Sequence, residues 1–244
     1  MMIVEWEVTL ECNYDCFYCT NLDKTILPRD DIEAFVKMIS ETYDAELFVF
    51  GGEPFVHPQI ECIIETLNRY KVDFVIQTNL SKKSVHVMNR ITEPFKINVS
   101  VHPTEVTRKV ILECFKKVPD NVQIKTIDVM YTGREAINYY IDIKEFGDTY
   151  LTPIADFGDG VSGKTLEEYN TMRHNKIWNK VISFETVKKL GQYRSDLWEN
   201  YNPRGKPCLY DNKYFLYGPN MQLYNCCYRE NHTGICNHDK CFLM

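Results

Sequence analysis

Cys12-Asn13-Tyr14-Asp15-Cys16-Phe17-Tyr18-Cys19 closely follows the alternating stretch Ile3-Val4-Glu5-Trp6-Glu7-Val8-Thr9. The alternation predicts a strand, and its C-terminal end would open into a loop carrying three soft ligands. Thiolates at this spacing can converge on zinc or an iron–sulfur cluster, and a site with three protein ligands leaves one coordination position open for chemistry. An open position points to catalysis rather than a structural clip. A second stretch repeats the arrangement: Leu47-Phe48-Val49-Phe50 reads as a short buried strand that runs straight into Gly51-Gly52-Glu53-Pro54.

Together these stretches resemble the signature of the radical S-adenosylmethionine (SAM) enzymes. The resemblance rests on Cys12, Cys16 and Cys19 in the pattern Cys-x3-Cys-x2-Cys, on Tyr18 before the last cysteine, and on the Gly-Gly-Glu-Pro element at 51–54. It implies that the three cysteines hold a [4Fe-4S] cluster whose fourth iron is chelated by the amino and carboxylate groups of SAM. It further implies that Gly51, Gly52, Glu53 and Pro54 form an edge meeting the methionine amino group, where absent side chains permit close backbone approach.

Composition narrows the class. A chain of 244 residues with 44% hydrophobic content suits one domain plus an appendage around a sizeable core. Ten cysteines would suit a disulfide framework in a short secreted chain. The N-terminus, however, shows no basic segment followed by an apolar run, so a reducing, cytoplasmic setting is expected. No run of eighteen apolar residues occurs, so neither a membrane span nor a membrane partner is expected. The formal charge of −6 argues against general nucleic-acid binding, though not against a nucleotide substrate.

Beyond the cysteine loop, helical and strand-like patterns alternate. Asp30-Asp31 starts a helix with Ile32, Phe35, Val36 and Ile39 on one face, and Pro58 opens another with Ile60, Ile63, Ile64 and Leu67. Strands are expected at 73–78, 97–101, 122–130 and 149–154, with helices at 83–90, 104–117 and 134–145 between them. On the helix at 104–117, Val106, Val110 and Cys114 would share one side. This is the pattern of a parallel sheet wound by right-handed crossovers. The family resemblance covers roughly the first two thirds of the chain and implies a partial (β/α)6 barrel. Residues 1–155 would form that barrel, 156–206 a mostly helical connection and 207–244 a small Cys-rich lobe. Cys62 and Cys114 fall within barrel helices and read as small buried hydrophobes.

Sites in parallel α/β folds lie at the C-terminal ends of strands. Thr78-Asn79, Ser100 and His102 close strands, and Lys125 and Asp128 lie on another. By resemblance, Thr78 and Ser100 would help to hold SAM, Tyr18 would contact adenine, and Lys125 would meet the SAM carboxylate or the substrate. The structural alternative for each is a capped turn or a solvated side chain. No residue is assigned a catalytic role from sequence.

Cys208, Cys226, Cys227, Cys236 and Cys241 gather in a polar, turn-rich tail with little apolar surface, where ligand bonds could replace a core. Residues 214–217 and 222–224 read as a hairpin across Gly218-Pro219-Asn220. The arrangement resembles the SPASM and twitch auxiliary-cluster extensions of the radical SAM family. Cys208, Cys226 or Cys227, Cys236 and Cys241 would then hold a second [4Fe-4S] cluster, and zinc is the rival occupant of such an all-cysteine site. Gly158-Asp159-Gly160-Val161-Ser162-Gly163-Lys164-Thr165 fits the P-loop pattern. It is read as a linker, because it follows the sixth strand rather than the first.

The expected function is therefore reductive cleavage of SAM to methionine and a 5′-deoxyadenosyl radical, which abstracts hydrogen from a substrate. The electron would come from a donor such as a flavodoxin or ferredoxin. A peptide or protein side chain is the first substrate reading, because family members with such extensions often modify peptides. The lack of a leader-binding segment before the first strand weighs against it. A small metabolite or nucleotide-derived substrate is the second reading, and a non-catalytic, zinc-clipped binding protein is the alternative of another class.

Overall fold

The computed structural model describes residues 2–17, 19, 31–131, 135–153, 214–218 and 222–224. The expected alternation is found: β1 (Ile3–Thr9), α1 (Ile32–Thr42), β2 (Leu47–Gly51), α2 (Ile60–Arg69), β3 (Phe74–Thr78), α3 (Lys82–Met88), β4 (Phe95–Val101), α4 (Arg108–Phe115), β5 (Val122–Tyr131), α5 (Ala136–Ile143) and β6 (Asp148–Pro153). A single 3₁₀ turn, Pro54–Val56, follows β2. Strands β1 to β6 pair in sequence order, each parallel to the next. The edges of the sheet do not meet. This is the unclosed parallel α/β sheet of a partial barrel.

Two further strands extend the sheet beyond β1. β7 (Tyr214–Tyr217) pairs parallel with β1, aligning Glu5 with Leu216 and Trp6 with Tyr217. β8 (Leu223–Tyr224) returns antiparallel to β7, forming the expected hairpin. Its attachment to β1 is new information, because the alternation of a four-residue strand does not say which edge it will join.

Strand faces divide by chemistry. Along β4, Phe95, Ile97, Val99 and Val101 are buried, while Lys96, Asn98 and Ser100 between them are partly exposed. Side chains alternate faces at every residue, so the first set faces the helices and the second lines the open face. On β1 the helix-side set is Val4, Trp6 and Val8, and the Trp6 ring lies 4.6 Å from Phe35 of α1. Phe35 also meets Tyr217 edge-on at 5.1 Å, and the Tyr217 hydroxyl hydrogen-bonds that of Tyr43 at 2.7 Å. The hairpin is thereby keyed into the same core. Trp6 is fully buried, so Trp6→Ala should cost roughly 3–5 kcal/mol of unfolding free energy in urea titration.

Two local expectations are corrected. α4 begins at Arg108, because Thr107 caps it by accepting from Val110 N–H, and residues 102–106 form a turn on the His102 carbonyl. Its buried stripe is Ile111, Cys114 and Phe115 rather than Val106, Val110 and Cys114. Cys62 is exposed, since it lies on α2 away from the buried stripe of Ile60, Ile63, Ile64 and Leu67; Cys114 is buried as expected. No helix among the described residues is long and apolar enough to cross a membrane.

Candidate active site

The cysteine loop and the Gly-Gly-Glu-Pro segment leave neighbouring parallel strands at their C-terminal ends, and backbone hydrogen bonds join them. Gly52 N–H donates to the Thr9 carbonyl and Glu53 N–H to the Glu11 carbonyl, both at 2.8 Å. The glycines make this approach possible. A Cβ on Gly51, whose φ is +134°, would lie 2.0 Å from Thr9 O, and one on Gly52 would lie 2.1 Å from Glu11 O. What the missing side chains admit, among the described residues, is the main chain leading into the cysteine loop.

Glu53 anchors the third strand to this edge. Its carboxylate is fully buried; Oε1 accepts from Thr78 Oγ1 at 2.8 Å and Phe55 N–H at 3.2 Å, and Oε2 from Asn79 N–H at 2.6 Å. Burial pushes its carboxyl up to about 7, against the pull of these donors. A raised carboxyl contributes stability that is complete below the ordinary value of 4.5 and lost as pH rises through 7. Between pH 4.5 and 7 the parent protein should therefore lose about 3 kcal/mol relative to Glu53→Gln, which cannot titrate. Paired urea titrations across that range check this, and parallel curves would refute it.

Thr78 is buried, donating to Glu53 while its oxygen accepts from Leu80 N–H at 3.1 Å. Ser100 lies on the open face, where its Oγ accepts from Gln77 Nε2. Lys125 lies elsewhere: its Nζ is 2.8 Å from both carboxylate oxygens of Glu46, the residue before β2. Lys96 joins the same group through Glu46 and Asp73. These charges mark the N-terminal ends of the strands, opposite the cysteine loop. Further along the open face, Asp128 accepts from Thr152 Oγ1 at 2.6 Å, and Asn98 accepts from Thr126 Oγ1 at 2.9 Å.

Within the loop, Cys12 and Cys16 are half-buried and Cys19 is exposed. A turn bond from Cys19 N–H to the Cys16 carbonyl, 2.9 Å long, sets their spacing. Tyr14 N–H donates to Cys12 Sγ at 3.4 Å, and burial pushes the Cys12 thiol up. His102 Nδ1 lies 3.5 Å from Cys16 Sγ; burial pushes this imidazole down to about 4, so it is neutral near pH 7. Among the described residues no three Cys, His, Asp or Glu side chains are gathered as for a single metal ion. Three thiols on one loop are a donor set that a cluster can take, with a separate iron for each thiolate.

Sequence reasoning gave Asn79 no role, yet it touches both motifs. Its Nδ2 donates to Asn13 Oδ1 at 2.9 Å and toward Cys12 Sγ at 3.8 Å, while its backbone holds Glu53. The available signal was Asn79 two residues before the helix cap Ser81, the spacing of an Asx turn. Tyr18, Cys208, Cys226, Cys227, Cys236, Cys241 and the glycine-rich stretch at 158–165 lie outside the described residues.

Three cysteines on a loop at the C-terminal ends of an unclosed parallel sheet, joined to a glycine edge, place the candidate site where α/β enzymes carry theirs. The sequence matches the profile of the Radical SAM superfamily over residues 6–190, and the chain belongs to that superfamily. It is 26% identical over 149 residues to a "Probable GTP 3',8-cyclase" of Thermococcus kodakarensis, a match covering 56% of this chain and 44% of that protein. It is also 31% identical over 72 residues to the S-adenosylmethionine-dependent nucleotide dehydratase RSAD2 of Siniperca chuatsi, covering 29% of this chain and 20% of that one. The chain thus spans less than half the length of these two relatives. The structure of anSMEcpe with bound AdoMet and the Cp18Cys peptide superposes with TM-score 0.56 at 15% identity, over 97% of this chain and 76% of that one. Streptococcus suis SuiB bound to precursor peptide SuiA gives 0.51 at 15% identity, over 99% and 63%. These two likenesses concern the fold.

Proposed function

We propose that the protein is an enzyme that cleaves SAM reductively and uses the resulting radical to abstract hydrogen from a substrate. The observation that carries this reading is the pinning of the chain leading into the Cys12–Cys19 loop, at Thr9 and Glu11, to Gly52 and Glu53 at the strand ends of a radical SAM chain. A reduced [4Fe-4S] cluster with SAM supplies one-electron cleavage to methionine and a 5′-deoxyadenosyl radical, chemistry that belongs to the cofactors. Cys12, Cys16 and Cys19 would hold the cluster. Glu53, through Thr78 and Asn79, keeps the adjoining edge rigid, and Ser100 with Gln77 offers polar groups on the open face. Tyr18 completes the proposed SAM contacts, whereas Lys125, paired with Glu46 toward the opposite ends of the strands, is left as a candidate for the substrate side of the open face.

A second cluster on Cys208, Cys226 or Cys227, Cys236 and Cys241, with zinc as its rival, belongs to the same proposal, as does a flavodoxin- or ferredoxin-type electron donor. A peptide or protein side chain is the first substrate reading, supported by the Cys-rich tail. A nucleotide-derived substrate is the second, favoured by the nucleotide-acting names of the sequence relatives. Anaerobic reconstitution with iron and sulfide should give reductant-dependent 5′-deoxyadenosine. Two bound zinc ions and no SAM cleavage would sink the proposal. Deuterium carried from labelled peptides or nucleotides into 5′-deoxyadenosine separates the two substrate readings.

A further inference from the structure

We infer that Asn79 is a positioning residue that sets the reduction potential of the cluster by donating a side-chain N–H to the Cys12 sulfur. The inference rests on the reading that Cys12 is a cluster ligand.

The orientation of the amide follows from its partners. The side chain is buried, with Ser81 N–H 3.0 Å from Asn79 Oδ1 and the Ser84 hydroxyl 3.4 Å from it. A backbone N–H can only donate, so the atom facing Ser81 must be the amide oxygen. That assignment sends Nδ2 the other way, to Asn13 Oδ1 at 2.9 Å and Cys12 Sγ at 3.8 Å. Its two hydrogens match these two acceptors. The backbone is equally committed: Asn79 N–H is held by Glu53 Oε2 at 2.6 Å, and the chain turns at Leu80 with φ +49°. A buried leucine in the left-handed region is strained, and such a conformation persists only where its surroundings over-determine it. Here Glu53, Thr78, Ser81 and Ser84 do so. The amide is thus preorganised and costs little ordering when it meets the sulfur.

A donor aimed at a ligating thiolate stabilises the extra negative charge of the reduced cluster. Hydrogen bonds to cluster sulfurs are among the protein's means of setting potential, and outer-shell partners tune metal ligands generally. Asn79 would therefore make the cluster easier to reduce by an external low-potential, one-electron donor.

Asn79→Asp is the direct test. It keeps the oxygen facing Ser81 and the backbone N–H to Glu53, but exchanges the donor beside Cys12 for an anionic acceptor. In an EPR-monitored titration of the reconstituted full chain, the midpoint potential should fall so that reduction is about tenfold less favourable, about 59 mV for one electron. Asn79→Ser retains an acceptor for Ser81 without adding charge or reaching Cys12, and should move the potential the same way by less. An unchanged midpoint potential in an iron-replete variant overturns the inference. So does loss of iron from both variants, since Asn79 would then be building the loop rather than tuning its contents. Failure of the parent protein to take up iron refutes the underlying cluster reading instead, and is distinguishable on that ground.

Discussion

Replacing Cys12, Cys16 or Cys19 singly by alanine is expected to reduce SAM cleavage to background, measured as reductant-dependent 5′-deoxyadenosine. All three share one loop, and the other described cysteines, Cys62 and Cys114, lie on helices α2 and α4, so none of them stands ready to substitute. Removing one would also leave its iron without a protein ligand. Cys62→Ser supplies the control, because this exposed thiol on α2 lies outside the site and its loss should leave cleavage unchanged. Alanine at Cys208 or Cys241 should leave cleavage partly intact if the tail holds an auxiliary cluster. Retention of cleavage in Cys12→Ala, Cys16→Ala and Cys19→Ala alike would remove the proposed function.

The second large effect concerns the glycines. Gly52→Ala would set a Cβ 2.1 Å from Glu11 O and 2.5 Å from Glu11 C, and these are backbone atoms that no rotamer change can clear. Gly51→Ala adds the cost of φ +134° to a 2.0 Å contact with Thr9 O. Overpacking against backbone should cost about 3 kcal/mol at Gly52, and the strain of a positive φ adds to a similar clash at Gly51, making Gly51→Ala the worse. Relief would require the chain at 9–11 to move away, breaking the bonds that align the cysteine loop with Glu53. Both variants should therefore bind less iron on reconstitution as well as unfold at lower urea. A loss below about 1 kcal/mol in Gly52→Ala would mean that the edge does not lie against the loop as described.

These glycines also show how the two levels of description divide. The Gly-Gly-Glu-Pro stretch was legible as a strand-terminal motif, and its resemblance suggested room for a cofactor. The structure adds a close contact with the chain's own backbone at Thr9 and Glu11, across a long sequence separation that no local pattern encodes. Lys125 differs in the same way. Its position on β5 was correct, but a shift of register between β4 and β5 around Ile97 and Asn98 accompanies its contact with Glu46 at the far end of the strands. Such a shift leaves no trace in period-two alternation.

By itself the sequence determined the order and type of the elements. Helical stripes such as Ile60, Ile63, Ile64 and Leu67, and strand runs such as Phe74–Thr78, follow from local periodicity. It also determined the family, because the cysteine and glycine motifs are contiguous. Only the tertiary structure decided how Glu53 came to be buried under Thr78 and Asn79, how the Asn79 amide was turned toward Cys12, and why β7 joined β1. Each depends on which distant segments share a surface, and the energies involved, buried hydrogen bonds and close backbone contacts, exist only once those segments have met.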